Sequence, residues 1–270
     1  MNKKTLIVTA DDFGRSGQND LAILDGHKCG LISRTSVFTT HSEFAGAKEL
    51  LLRNPGFRAG VHLDFSSGTP VLSQKLIPTL TVGDGSYIAR NDKSAVAKVS
   101  PQELEQEFRA QIAKFLDAGL RLSHLDNHRG EIYFYPDLFE VSARLASEFK
   151  VPLRSPFDIR FTKNIDSASQ LLGLPRAMIL EVAERCRGLL AKYNVQTTDH
   201  FFTLEGPMRS KDGFIQWLES LEDGTTELST HPGVQHDNER QELAVLQDRD
   251  VIAATKTLDI QVVNYRYGSS

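Results

Sequence analysis

The sequence predicts an α/β protein built on a (β/α) barrel, complete or distorted. Three observations predict it. Short β-branched runs alternate with longer helical patterns along the chain. Eight such strand-like runs fall within 270 residues, a length at which parallel strands with helical crossovers commonly close into one barrel domain. The runner-up is a doubly wound open sheet, which usually carries a glycine-rich phosphate loop after its first strand. Here the first strand ends in ADDFGRSG, without that fingerprint.

Taken in order, KTLIVTA (4–10) is apolar enough for a buried first strand. GQNDLAILDGHKCG (17–30) carries apolar residues at Leu21, Ile23 and Leu24 and closes on Gly30, a helix with its stop signal. RTSVFTT (34–40) and RAGVHLD (58–64) are the second and third strands. The segment 65–99 breaks the alternation. Its Gly, Pro and Ser content reads as a long excursion from a strand's C-terminal end, with a small hairpin around VGDG, and such insertions usually shape an active site. SPQELEQEFRAQIAKFLDAG (100–119) opens with Ser100 as cap, Pro101 at the first helical position and Glu103 completing a capping box, and ends on Gly119. RLSHLDNH (121–128) is the fourth strand, 135–149 a helix and VPLRSP (151–156) the fifth strand. DHFFTL (199–204) and TTELSTH (225–231) are the sixth and seventh, 239–258 a helix and DIQVVNY (259–265) the eighth. The expectation is a single domain over 1–270 with the excursion inserted.

Hydrophobic residues make up 40% and charged residues 24%, with a net charge of −4. These are values of an ordinary globular chain, and they argue against a nucleic-acid binder that relies on a broad basic field. Cys29 and Cys186 are too far apart in sequence for a disulfide framework or a zinc ribbon and read as reduced thiols in two helices. The basic MNKK is followed by an apolar run that stops at Asp11, too short for a signal-peptide core, and no run reaches membrane-spanning length. A cytoplasmic location without membrane attachment is expected. A symmetric homodimer is the default oligomer.

Two adjacent carboxylates, Asp11 and Asp12, follow the first strand, where like charges repel and burial worsens the repulsion. A solvated turn offsets this weakly and a bound cation strongly. The other predicted strand ends carry His62 and Asp64, then His124, Asp126 and His128, then Arg154, and finally His231. In a parallel barrel these ends share the face where such enzymes do their chemistry. A single strand histidine is more often a packed core or rim residue, and paired aspartates after a strand are more often a turn or cap. The conjunction over several strands favours a site.

A hydrolytic metal takes about three protein ligands and an open position for water. His62 and His128 with one carboxylate make such a set. Asp12 is then the third ligand and Asp11 the base that takes a proton from water. His231 is the candidate to protonate a leaving group or stabilise an oxyanion. Residues 124, 126 and 128 project to one side of an extended strand. His124 or Asp126 there either orients a ligand or simply packs the strand end. Two histidines and a carboxylate suit Zn²⁺, with Mg²⁺, Mn²⁺ and Co²⁺ open.

The motifs TADDFGRSGQND, GVHLD, HLDNH and ELSTHPG, in this order from about residue 4 to 265, resemble the YdjC-like carbohydrate deacetylases, the family that includes chitooligosaccharide deacetylase. The resemblance implies a distorted (β/α) barrel akin to that of polysaccharide deacetylases. It implies a divalent metal held by Asp12, His62 and His128, with Asp11 as base and His231 at the site. It implies a small carbohydrate substrate that loses an N-acetyl group. One departure stands out. Relatives acting on chitin-type sugars read H-x-D-S-H-H-H-V-H where this chain has HLDNHRGEIYF, so Arg129 and Gly130 replace further histidines. Arg129, with Arg154 and Asp126, is a candidate substrate contact, Arg129 for an anionic group; a salt-bridged Arg129 is the alternative.

Overall fold

The computed structural model describes residues 3–89, 92–157, 165, 169 and 173–263. The fold is α/β with a parallel sheet, of the distorted (β/α)-barrel class the sequence predicts. Its strands are β1 (Lys4–Phe13), β2 (Arg34–Val37), β3 (Arg58–Leu63), β4 (Leu122–Asn127), β5 (His200–Thr203), β6 (Gly224–Thr230) and β7 (Gln261–Val262). The helices are α1 (Gly17–Cys29), α2 (Phe44–Arg53), α3 (Lys93–Val96), α4 (Pro101–Asp117), α5 (Pro136–Glu148), α6 (Arg176–Lys192), α7 (Lys211–Glu219), α8 (Asp237–Gln247) and α9 (Arg249–Thr257). Strand order is β4-β3-β2-β1-β6-β5, with β7 also paired to β1. Among the described residues, no helix is long and apolar enough to cross a membrane.

The chain divides into two compact units. The first comprises residues 1–37, 43–60 and 198–270. Its axis is β1, whose Leu6, Ile7, Val8 and Ala10 are fully buried. A strand with neighbours on both edges and cover on both faces needs such a continuous apolar run. β1 pairs in parallel with β6 from Lys4 to Ala10, with β7 at Thr5 and Leu6, and with β2 from Thr9 onward. The β1–β2 register slips between Ala10 and Phe13. A buried Arg34–Glu227 ion pair, 2.7 Å long, closes on the Thr9 hydroxyl beneath β1. Gly30 ends α1 against the Leu246 carbonyl, where a Cβ would lie 2.5 Å from that oxygen.

The second unit comprises residues 38–42 and 61–197. Here α4 begins as its sequence dictates, with the Ser100 hydroxyl accepting the Glu103 N–H and Pro101 in the first turn. Its buried Phe108, Ile112 and Phe115 are core residues, and α5 packs on α4 and α6 on α5. The excursion is tied to α4 by two carboxylates, Glu103, which accepts the Thr79 N–H and hydroxyl, and Glu107. Buried Glu107 accepts the N–H groups of Val71 and Leu72, the Tyr87 hydroxyl and the Gln111 amide. The expected hairpin is present: Thr81 and Tyr87 form an antiparallel bridge and the Val82 N–H bonds to Ser86.

Several element boundaries differ from the sequence expectation. Residues 151–156 contribute only a bridge from Leu153 to Leu125, in which the Leu125 N–H donates to the Pro152 carbonyl and the Arg154 N–H to the Leu125 carbonyl, while the Leu153 N–H bonds on the other edge to the Gln196 carbonyl. The helix expected over 239–258 is two helices, because the Asp248 side chain accepts the Asp250 and Val251 N–H groups and restarts the chain as α9. The α2, α3, α6 and α7 helices lie outside the helices the sequence predicts. The eighth strand is only β7, and residues 264–265 of that expectation lie outside the described residues. Cys186 is buried and its thiol is pushed up to about 12 by burial, in keeping with a reduced thiol.

Candidate functional site

In the first unit the paired aspartates sit inside the register slip. Between the Ala10–Thr35 and Phe13–Val37 pairs, β1 spends two residues, Asp11 and Asp12, where β2 spends one. A bulge of this kind turns side chains out of the ladder and occurs often beside active sites. Asp12 lies at φ +66°, the left-handed region that Asp tolerates better than bulky residues. The two carboxylates consequently part company. Asp11 is buried, and its Oδ2 accepts the Ser229 hydroxyl at 2.8 Å. Asp12 is half-buried and pairs with Arg15 at 2.9 Å. Local partners thus offset part of the repulsion between them.

Strand β6 delivers the opposing groups. Ser229 faces Asp11, and His231 follows the strand with its Nε2 4.0 Å from Asp11 Oδ2. The backbone N–H of His231 donates to buried Glu242 at 2.6 Å, and Arg209 pairs with the other carboxylate oxygen at 3.1 Å. Burial raises the Glu242 carboxyl above its ordinary value, against the His231 N–H and the Arg209 charge. The turn after His231 is tied down by Glu239, which accepts the Asn19 amide and the N–H groups of Gln235 and His236. Asp11, Asp12, Asn19, His231, Gln235 and Glu239 line one polar hollow in this unit.

Near this hollow lies Asp20, fully buried in the first turn of α1. Burial pushes its carboxyl up to about 7, against the lowering effect of the Gly14 N–H. A carboxyl raised in the folded state stabilises below its unfolded value and loses that contribution as pH climbs through the folded one. Asp20→Asn is therefore expected to raise stability above neutrality by up to roughly 4 kcal/mol. The gain fades toward about pH 4, and denaturant midpoints of the two proteins across that range measure it.

The second unit gathers the histidines. His62 and Asp126 are buried, and His62 Nδ1 lies 2.7 Å from Asp126 Oδ1. The other oxygen of Asp126 meets Arg154 at 3.0 Å and His124 Nε2 at 3.6 Å. Burial alone would push Asp126 up. The Arg154 charge, the His62 ring and its bond, and the nearby His124 ring outweigh it and hold the carboxyl well below its usual range. His128 hangs its backbone N–H on the Leu63 carbonyl, and its Nδ1 lies 3.2 Å from His62 Nε2. The Phe38 ring presents an edge to both imidazoles, at 5.0 and 4.9 Å.

In the neutral imidazole, the contact with Asp126 assigns the roles of the two His62 nitrogens. With a carboxylate at Nδ1, the His62 proton belongs there, and Nε2 carries the lone pair. Two imidazole nitrogens then converge at 3.2 Å, which fits a shared cation as well as a hydrogen bond. Two imidazoles facing one point is the donor chemistry a divalent metal takes.

The structure brings Asp11 and His231 together in one unit, and His62, His124, Asp126, His128 and Arg154 together in the other. Asp126 engages His62, and it is Arg154 that neutralises it. Arg129 is buried, lies over the Phe65 ring at 4.9 Å and pairs loosely with Glu131 at 3.9 Å. Asp64 is occupied by Ser66 and Ser67. Sequence reasoning passed over Ser229, Glu242 and Asp20. Ser229 had a signal: it stands two residues before His231, on the same strand face. Glu242 and Asp20 had none beyond being acids in amphipathic helices.

A family model described as YdjC-like protein matches residues 5–257. Among curated proteins, a carbohydrate deacetylase of Brevibacillus brevis is 34% identical over 152 residues, which is 56% of this chain and 59% of that protein. A carbohydrate deacetylase of Listeria monocytogenes serotype 4b is 36% identical over 157 residues, 57% of this chain and 62% of that one. The chain thus spans about three fifths of the length of the curated relatives it matches. Among solved structures, one from Enterococcus faecalis, named for cellobiose-phosphate cleavage, has a TM-score of 0.79 at 24% identity, covering 97% of this chain and 98% of that one. The lactam utilization protein from Thermus thermophilus has a TM-score of 0.52 at 14% identity, covering 98% and 100%. At these identities the two structures share the fold.

Proposed function

The chain belongs to the YdjC-like protein family, and from that premise we propose that it hydrolyses the acetyl group from an N-acetylated amino sugar or a related small glycoside, with one divalent metal. Asp12, His62 and His128 are the proposed ligands. The observation that carries the reading is the imidazole pair, with His62 fixed by Asp126 so that its Nε2 lone pair converges with His128 Nδ1. When bound, such a metal acidifies water and polarises a carbonyl. Zn²⁺ is the leading candidate, with Mn²⁺, Co²⁺ and Mg²⁺ as alternatives.

The remaining chemistry belongs to the chain. Asp11 takes the proton from the attacking water, and its contact with the Ser229 hydroxyl keeps the carboxylate oriented for that step. His231 gives a proton to the departing amine, and its Nε2 sits 4.0 Å from Asp11, near enough to feel the charge of that carboxylate. Asp126 and Arg154 hold His62 in tautomer and position. Arg129, next to His128 in sequence, is a proposed contact for an anionic group of the substrate. The curated carbohydrate deacetylases support the choice of substrate class.

The test is metal stoichiometry. Chelator-treated protein is expected to take up about one equivalent of Zn²⁺ or Mn²⁺, and His128→Ala to weaken that binding by at least about 100-fold. A chain that takes up no divalent metal would overturn the reading.

A further inference from the structure

Asp20 is a buried acid near the paired aspartates to which the proposed mechanism gives no role. It occupies the fourth residue of α1, yet it does not cap its own helix. Its Oδ1 reaches back and accepts the Gly14 N–H at 2.8 Å, while Ser16, the helix's N-cap residue, makes no side-chain cap bond. Its Oδ2 is buried with no hydrogen-bond partner. A carboxyl kept dry with half of its acceptors unused is a cost to the fold. Its single bond lands on the segment that carries Asp12.

Phe13 pairs with Val37 on β2 and Arg15 with the Asp12 carboxylate at 2.9 Å, but the turn itself has few backbone bonds of its own. β1 pairs with β6 only as far as Ala10. Beyond it come the register slip, Asp12 at φ +66° and Gly14 at φ +88°. One turn bond, Arg15 N–H to the Asp12 carbonyl at 3.2 Å, spans these left-handed residues. Inside that turn the Gly14 N–H would be a buried donor without a partner but for Asp20. A left-handed Asp persists only where its surroundings over-determine it. Here strand pairing at Ala10 and Phe13 brackets Asp12, and the Asp20–Gly14 bond anchors the turn that follows.

We propose that Asp20 is a positioning residue for Asp12: by holding the Gly14 N–H it fixes the left-handed backbone at Asp12, and thereby the metal affinity of the site. The inference rests on the proposed function for its metal half only. The backbone half stands on the first unit alone.

The experiment uses the full chain after chelation, as wild type, Asp20→Asn, Asp20→Ala and Asp20→Ser. Asn keeps an acceptor at Oδ1, whereas Ala and Ser withdraw it. Hydrogen exchange at the Gly14 amide is read against the amides of Leu6, Ile7 and Val8 as controls for global stability. Zn²⁺ affinity is read by calorimetry. In Ala and Ser, Gly14 exchange is expected to quicken at least about tenfold while the strand amides keep their protection. The Zn²⁺ dissociation constant is expected to rise about 10- to 100-fold, and Asn to restore both to within about threefold of wild type. Ser serves if Ala fails to fold. Unchanged Gly14 exchange in Ala or Ser would overturn the proposal, as would an Asn variant that falls as far as Ala. If Gly14 is released but Zn²⁺ binding holds, the link to the metal is refuted. If wild type itself binds no Zn²⁺, the metal reading fails and the metal half with it, while Gly14 exchange still decides whether Asp20 holds the loop.

Discussion

Asp11→Asn is expected to lower turnover by about 10³-fold while leaving divalent-metal affinity within about threefold of wild type. The amide is nearly isosteric and still accepts the Ser229 hydroxyl, which the carboxylate holds at 2.8 Å. Packing at this buried position is therefore kept, and only the ability to take a proton is lost. The signature is a fall in kcat without a matching rise in KM. It also separates Asp11 from Asp12, since Asp12→Asn is expected to weaken metal binding as well. A protein that merely binds sugar without turning it over would show no such split. Initial rates and metal titrations on the two variants are the check.

The second large effect is on stability. Asp126→Ala is expected to cost about 3–5 kcal/mol, because it leaves the Arg154 guanidinium buried without its counter-charge. It also removes the acceptor from His62 Nδ1, so metal affinity should fall about 10- to 100-fold in whatever fraction remains folded. The sign of the pH dependence follows from the depressed carboxyl. Asp126 adds stability above the usual carboxylate range and loses it as pH falls through its own lowered value. The wild-type advantage over the variant should thus be full at neutrality and shrink only in strong acid. Thermal or denaturant unfolding of both proteins over that range measures it. Asp126→Asn, which retains a hydrogen bond to His62, should fall between them.

Much of this arrangement can be read from the sequence, and the exceptions are physically instructive. The apolar run of Leu6 to Ala10 marks a strand covered on both faces, and strand ends follow from where such runs stop. Asp11, His62, Asp126, His128 and His231 could thus be placed as candidates from pattern alone. The bulge at Asp11 and Asp12 could not be. It is a mismatch between β1 and β2, and neither strand's own residues encode it. The same holds for Asp126. Period-two alternation puts it beside His124 and His128, but its partner His62 lies 64 residues away, and only tertiary pairing selects it. Arg154 is a candidate substrate contact in the sequence, and its pairing with Asp126 at 3.0 Å is a tertiary contact that strand position does not predict.

Asp20 and Glu242 illustrate a harder limit. Each is an acid in a helix, and local pattern predicts exposure for both. Each is buried and accepts a backbone N–H from elsewhere in the chain, Gly14 in one case and His231 in the other. The helix break at Asp248 was legible in principle, since QDRD carries a capping residue, but an apolar period running across it masked the signal. Residues 151–156 look like a strand by composition and form only one bridge, because composition does not say whether an edge is available to pair.

The most direct measurement is acetate release from a panel of N-acetylated amino sugars and small acylated glycosides, made after chelation and again after adding back Zn²⁺, Mn²⁺, Co²⁺ or Mg²⁺. The account predicts release from at least one substrate, abolished by chelation, restored by one or more of these ions and lost in His128→Ala. Acetate release that persists through chelation and survives His128→Ala would contradict it, and so would metal-loaded protein that releases acetate from no member of the panel.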